Sequence, residues 1–391
     1  MSRHRPLTSG KGRGLLLRTR GDGEARVEPI ELFFDLVYVL AATQLTHLLL
    51  EHLSPRGAGE TLLLLMAVWS AWSSTAWITS WFDARTLTVR LLLVVLMLGS
   101  LFMSAAIPDA FGESGLAFAV AYVAIQVGRN AWAVLAIGRG HSLTRDFLRL
   151  LIWSVGLGIL WIAGGLVEGD RRVVFWAAAV AIEYTEIWFG FPIPGLGRGR
   201  PPDWMIAGAH LAERHELFII LALGESILIT GATYGELPRL PATVVAFVVA
   251  FIGSVALWWL YFDRGAGAGR EAITHAATPG WLGLSAYSYF HLPMVAGIIM
   301  VAGADELTIA HPTDSSSPPL MALMLGGPAL YLAGNALFNW ALSGRIPWSR
   351  LVAIAGLVAL IPLAADAAAV TPLIAATLVL VSLVGWDLRS R

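Results

Sequence analysis

Twelve runs of mostly apolar residues follow one another along this chain, and no other feature limits its fold so sharply. They lie at 29–53, 58–81, 88–108, 114–137, 146–167, 172–192, 210–233, 241–262, 281–303, 319–342, 349–366 and 370–387. About 20 such residues suffice for an α-helix to cross the hydrocarbon core of a bilayer. The strands of a transmembrane barrel would be about half that length and would alternate apolar with polar residues; these runs do neither. The expected fold is therefore an all-α integral membrane protein of about twelve transmembrane helices. Composition agrees, since 14% of the residues are charged where a soluble chain carries roughly 25%. A net charge of −1 and the absence of Cys argue against a nucleic-acid binder and a disulfide scaffold.

The basic residues give an orientation. Residues 1–28 form a basic tail without the apolar core of a cleavable signal peptide, so the first span is expected to double as the insertion signal. With the N-terminus in the cytoplasm, only Arg56, Arg171, Arg172 and Arg239 fall on the far side, and Arg129 falls within the fourth span. The other 21 of the 26 Lys and Arg lie on the N-terminal side. That imbalance is the positive-inside pattern, and twelve spans return the C-terminus to the cytoplasm.

An internal repeat is visible. The first span opens ELFFDLVYVLAATQL from Glu31, and the seventh opens ELFIILALGESILIT from Glu216. The second ends in Trp81-Phe82-Asp83 and the eighth in Tyr261-Phe262-Asp263; the fourth and tenth both end in Gly-Arg. The order is shared, with 52 and 47 residues from the Glu to the Asp. An even number of spans per unit implies parallel repeats, related by an axis along the membrane normal. The expected organisation is a six-helix repeat over 29–192, a Gly/Pro-rich linker over 193–209 and a second six-helix repeat over 210–391.

Ionisable groups are costly in hydrocarbon and usually face a bundle interior or a cavity, so they are the candidate functional residues. Glu31 and Asp35 share one face of the first span. Either they mark a cation or proton site, or they cap the helix or pair with Arg. In the seventh span His210, Arg214, Leu221 and Glu225 share a stripe, with Glu213 and Glu216 beside it, and Ser226 follows Glu225 far from either end of the run. Glu225 sits near mid-membrane and needs a partner, for which Arg129 is the obvious cation. Glu183 and Glu186 lie three residues apart in the sixth span, a spacing that allows two carboxyls to share a proton. His47 and His291 stand alone and read as packing residues, and Trp and Tyr near span ends read as interfacial anchors. If these charges serve transport, Arg129, Asp35, Glu186 and Glu225 should converge on one hydrated cavity.

Enzyme motifs fail. His215-Glu216 lacks the second His of a zinc-protease helix, and neither a nucleophile elbow nor a Walker A run occurs. The spacing of His141 and Asp146 is read as coincidence. No catalytic set, metal site or cofactor is expected, and the expected partners are membrane lipid and a small ion or solute, not nucleic acid. Homo-oligomerisation is left open.

Two resemblances follow from these residues. The run Glu28-Pro29-Ile30-Glu31-Leu32-Phe33-Phe34-Asp35-Leu36-Val37-Tyr38-Val39 resembles the opening signature of the bacterial low temperature requirement A (LtrA) family. His210, Glu213-Arg214 and Gly224-Glu225-Ser226 resemble its central one. This resemblance implies a multipass protein of the bacterial cytoplasmic (inner) membrane, tied by name to growth in the cold, and supplies no substrate. Phe34-Asp35-Leu36-Val37 with Ala41 and Thr43 is also similar to the Phe-Ser-Asp signature of a lysosomal and bacterial potassium/proton channel family. Here, however, Phe34 stands at the Ser position, and Ile219-Ile220 stand where the second repeat would have Ser-Asp. The leading expectation is a transporter or channel for a small ion or solute with intramembrane carboxylates in its path. The alternatives are a membrane-embedded enzyme acting on lipid and a non-transporting scaffold or sensor.

Overall fold

A computed structural model describes residues 16–18, 26–138, 140–199, 204, 206–263 and 265–390. Most of the expected basic tail, part of the linker, Arg139 and Arg264 lie outside the described residues. The described chain is all-helical, with isolated bridges and no strand. In order the helices are α1 (Pro29–Glu51), α2 (Pro55–Trp81), α3 (Leu87–Ala105), α4 (Gly115–Ile137), α5 (Ser142–Leu166), α6 (Asp170–Phe189) and α7 (Gly208–Glu236). There follow α8 (Pro241–Phe262), the short α9 (Gly265–His275) and α10 (Pro279–Leu282), and a π-helical turn (Gly283–Tyr289) that runs into α11 (His291–Ala310). The last three are α12 (Pro318–Ser343), α13 (Trp348–Ala364) and α14 (Val370–Arg389).

Local chemistry sets the ends. Pro29, Pro55 and Pro318 occupy first-turn positions where a missing N–H costs nothing. Ser54 and Ser317 cap α2 and α12 by accepting the backbone N–H of Gly57 and Leu320. The Gly of each repeated Gly-Arg pair closes its helix: Gly138 after α4 and Gly344 after α12 take φ of 74° and 67°, which glycine adopts without a Cβ clash.

Ten helices among the described residues are long and apolar enough to cross a membrane. Two of the twelve expected spans fall short of that description. Helix α6 carries Asp170, Arg171, Arg172, Glu183 and Glu186, and α13 has 17 residues. Lipid-facing surfaces are plain elsewhere. Leu87, Leu91, Val95, Leu98 and Phe102 of α3 are all more than half exposed, a patch that water would not tolerate.

Helix α1 packs on α2, α3 and α7, and α4 packs on α3 and α5, while α6 leans on α5 and α2. In the later part of the chain α7 packs on α8 and α11, α12 on α11 and α13, and α14 on α13 and α8. Small residues let α11 and α12 approach closely: Gly297 faces the backbone of Gly327 and Tyr331, and Gly334 that of Met294. The Trp residues divide. Trp188, Trp340, Trp348 and Trp386 are exposed, as interfacial anchors would be. Trp77 and Trp81, at the end of α2, turn inward instead, because α2 is surrounded by other helices.

Candidate functional site

The expected site residues separate into three groups. The first is a buried ion network between α1, α2 and α7. Arg214 donates from Nη1 to Glu31 Oε1 at 2.9 Å and from Nη2 to Asp35 Oδ1 at 2.5 Å. Trp72 Nε1 donates to the same Asp35 oxygen at 2.7 Å, and His210 Nε2 lies 3.0 Å from Glu31 Oε1. Glu31 also accepts the backbone N–H of Glu28, closing a capping box, so it caps its helix and pairs with Arg at once. Arg18 reaches within 3.8 Å of Glu31 while donating to the Thr79 carbonyl, which pins residues 16–18 across the end of α2. Glu213 stands at the edge and accepts the Val27 N–H at 3.2 Å. Glu31, Asp35, His210 and Arg214 have no exposed surface, so this network holds three helices together.

The second group lines a cavity of about 150 Å³ enclosed by α2, α4, α5, α6 and the π-helical turn. Glu183 is ringed by donors: Ser70 Oγ at 2.5 Å, Tyr122 Oη at 2.7 Å and Gln126 Nε2 at 2.8 Å. Gln126 also links Glu183 to Arg129, whose Nη2 donates to the Gln126 side-chain oxygen. The other terminal nitrogen, Nη1, donates to the Ala71 carbonyl at 3.2 Å. Glu186 lies in the same wall, 8% exposed, with Oε2 buried and unpartnered. Among the described residues no hydrogen bond joins the two carboxyls, so the expected shared proton between them is replaced by a saturated Glu183 and a bare Glu186.

The third group is Glu225, which accepts a hydrogen bond from Thr43 on α1. Arg129 is not its partner, because α4 packs on α2, α3 and α5. Ser226 is buried with its hydroxyl unpartnered. The expectation of one shared cavity is thereby corrected. Arg129, Glu183 and Glu186 converge, whereas Asp35 is held by Arg214 and Trp72, and Glu225 lies between α1 and α7.

Several cavity residues escaped the sequence reading. Ten of the thirteen residues from Trp69 to Trp81 are Trp, Ser or Thr, a density that marks a polar helix face and was legible. Tyr122, Gln126 and Arg129 recur at helical spacing on α4. Ser288 gave no signal. It reaches the cavity because a π-helical turn carries it, and such turns are frequent at functional sites. Trp77 Nε1 donates to Ser288 Oγ at 2.8 Å and Trp69 Nε1 to its carbonyl at 2.6 Å. His291 is a packing residue, as expected, accepting from or donating to Tyr261 Oη at 2.8 Å. Asp305 was also missed, and it is 1% exposed with one oxygen unpartnered.

Outside the spans, Arg85 grips Asp83 through its side chain and backbone, which holds the Asp83 carboxyl below its ordinary range.

The apolar helices and their buried charges define a polytopic helical membrane protein. The chain belongs to the family of the bacterial low temperature requirement A protein (LtrA), whose profile matches residues 26–385. It is similar to an uncharacterized protein of Rhizobium meliloti (strain 1021), at 36% identity over 355 residues, covering 90% of this chain and 87% of the other. No solved structure matches.

Proposed function

We propose that this protein moves a small ion or solute across the bacterial inner membrane, through the cavity that Glu183, Glu186 and Arg129 line. In this reading all twelve long helices span the bilayer, both termini are cytoplasmic, and the chain is two parallel six-helix repeats. The packing supports the repeat: α1 meets α2 and α3 as α7 meets α8 and α11, and α2 meets α6 as α8 meets α14. Two contacts between segments next to the loops support alternation. Arg56 pairs with Asp170 at one end, and Arg149 reaches the Leu196 carbonyl at the other.

The observation that carries the reading is the bare carboxyl of Glu186 in a polar cavity among apolar helices. A structural carboxylate in such a place is expected to be paired. The buried network around Arg214 meets that expectation and fits a scaffold role, whereas Glu186 does not. Among the cavity residues, Trp81 at the end of α2 packs edge to face on Phe147 of α5 and on Trp204, and Phe191, just past α6, stacks on Trp204. In this reading these rings form an aromatic plug at the cytoplasmic mouth, with Trp204 supplied by the linker. Flux into proteoliposomes of purified protein, measured for protons, alkali cations and small solutes, tests the proposal. Flux above empty vesicles that falls at least tenfold in Glu186→Gln is the expected result. Absence of flux across the panel for the folded protein would contradict it.

A further inference from the structure

We infer that the cavity selects a small monovalent organic cation of the alkylammonium class; this rests on the transport reading for the site and names what the site takes. Three observations on the walls lead to it.

The first is charge. Arg129 is the cationic side chain among the lining residues, against Glu183 and Glu186. Its terminal nitrogens are committed to the Ala71 carbonyl, Thr75 and Gln126. Gln126 bridges the guanidinium and Glu183, accepting from Arg129 and donating to the carboxyl. Glu186 is left over, more than nine-tenths buried, with Oε2 unpartnered in the cavity wall. Among the described residues nothing pairs with Glu186, so a cation entering beside it would be the counter-ion against which it ionises.

The second is the nature of the remaining surface. Ten of the 27 lining residues are aromatic, against 10% of the whole chain. The negative faces of Trp and Tyr rings attract weakly hydrated cations, quaternary ammonium above all. A bound Ca²⁺ takes a shell of six to eight oxygens, and Mg²⁺ an octahedron that keeps several of its own waters. Here the oxygens beside Glu183 are engaged with one another: Ser70 and Tyr122 both donate to it.

The third is size. A cavity of about 150 Å³ holds on the order of ten waters, which is room for a solute of a few heavy atoms beside Glu186.

Choline and its uncharged carbon isostere, 3,3-dimethylbutan-1-ol, have the same shape and differ in charge. Calorimetric titration of the purified, detergent-solubilised protein with each separates charge from shape. Choline is expected to bind at least tenfold more tightly than the isostere. Glu186→Gln should remove that preference and leave the melting temperature within a few degrees, while Glu186→Asp should restore part of it. Equal affinity for the two probes, or a preference that survives in folded Glu186→Gln, would overturn the inference. If Glu186→Gln does not fold, the choline-to-isostere ratio of the wild-type protein carries the test. Choline binding without flux in proteoliposomes would uphold the ligand class and remove the transport reading. Flux of an inorganic ion or neutral solute with no choline binding would overturn the ligand class and keep transport.

Discussion

At the scale of single residues, two kinds of buried charge are present and they behave differently under substitution. Arg214 sits between Glu31 and Asp35 with no exposed surface. Its replacement by Met leaves two carboxyls buried without their cation, and breaking such a pair costs about 3–5 kcal/mol. The expected outcome is a large drop in melting temperature, much of it recovered when Glu31→Gln and Asp35→Asn are added. Asp83 is the opposite case, a partly exposed pair with Arg85 worth less than about 1 kcal/mol. Because its carboxyl is held low in the folded protein, its contribution is present above the ordinary carboxylate range and is lost as pH falls through the lowered value. Melting curves should therefore show wild type above Asp83→Asn at pH 7, with the gap closing under acid conditions. The sequence exposed all the charges but not their pairing. Glu31 and Arg214 lie 183 positions apart, and only the packing of α1 against α7 brings them together. For the same reason the expected pairing of Glu225 with Arg129 failed, since a hydropathy pattern does not say which helices touch.

At the scale of elements, the helices were the most legible part. The apolar run alone placed α8 at 241–262, the same bounds in pattern and structure. The π-helical turn was invisible, because one extra residue per turn leaves hydropathy unchanged. Its effect is local and testable. Ser288→Ala removes the acceptor for Trp77 Nε1 and the partner of Ser73. A buried donor left unsatisfied costs about 1–3 kcal/mol, so the variant should melt earlier and report a changed tryptophan emission. Close packing gives a second test at this scale. A Cβ on Gly297 would lie 2.6 Å from the Gly327 carbonyl oxygen and the Tyr331 nitrogen. Gly297→Ala is thus expected to cost about 1–3 kcal/mol by overpacking, measured as a lower melting temperature.

At the scale of the whole molecule, the proposed alternation of spans makes the charge asymmetry read from the sequence testable. The chain has no Cys, so a single introduced thiol reports its own side. Ser315 and Ser390 are both exposed, and the proposed twelve-span topology puts them on opposite faces. A membrane-impermeant maleimide added to intact cells should label Ser315→Cys and not Ser390→Cys. The central claim is that the cavity among α2, α4, α5 and α6 is open to water within the membrane. Ser74 lines it and is partly accessible. Labelling of a Ser74→Cys variant with a small charged thiosulfonate, applied to either side of sealed vesicles, measures this directly. The account predicts rapid reaction from one side or both, slowed by choline. No reaction from either side, in a protein that labels fully once unfolded, would mean a dry and closed cavity and would contradict it.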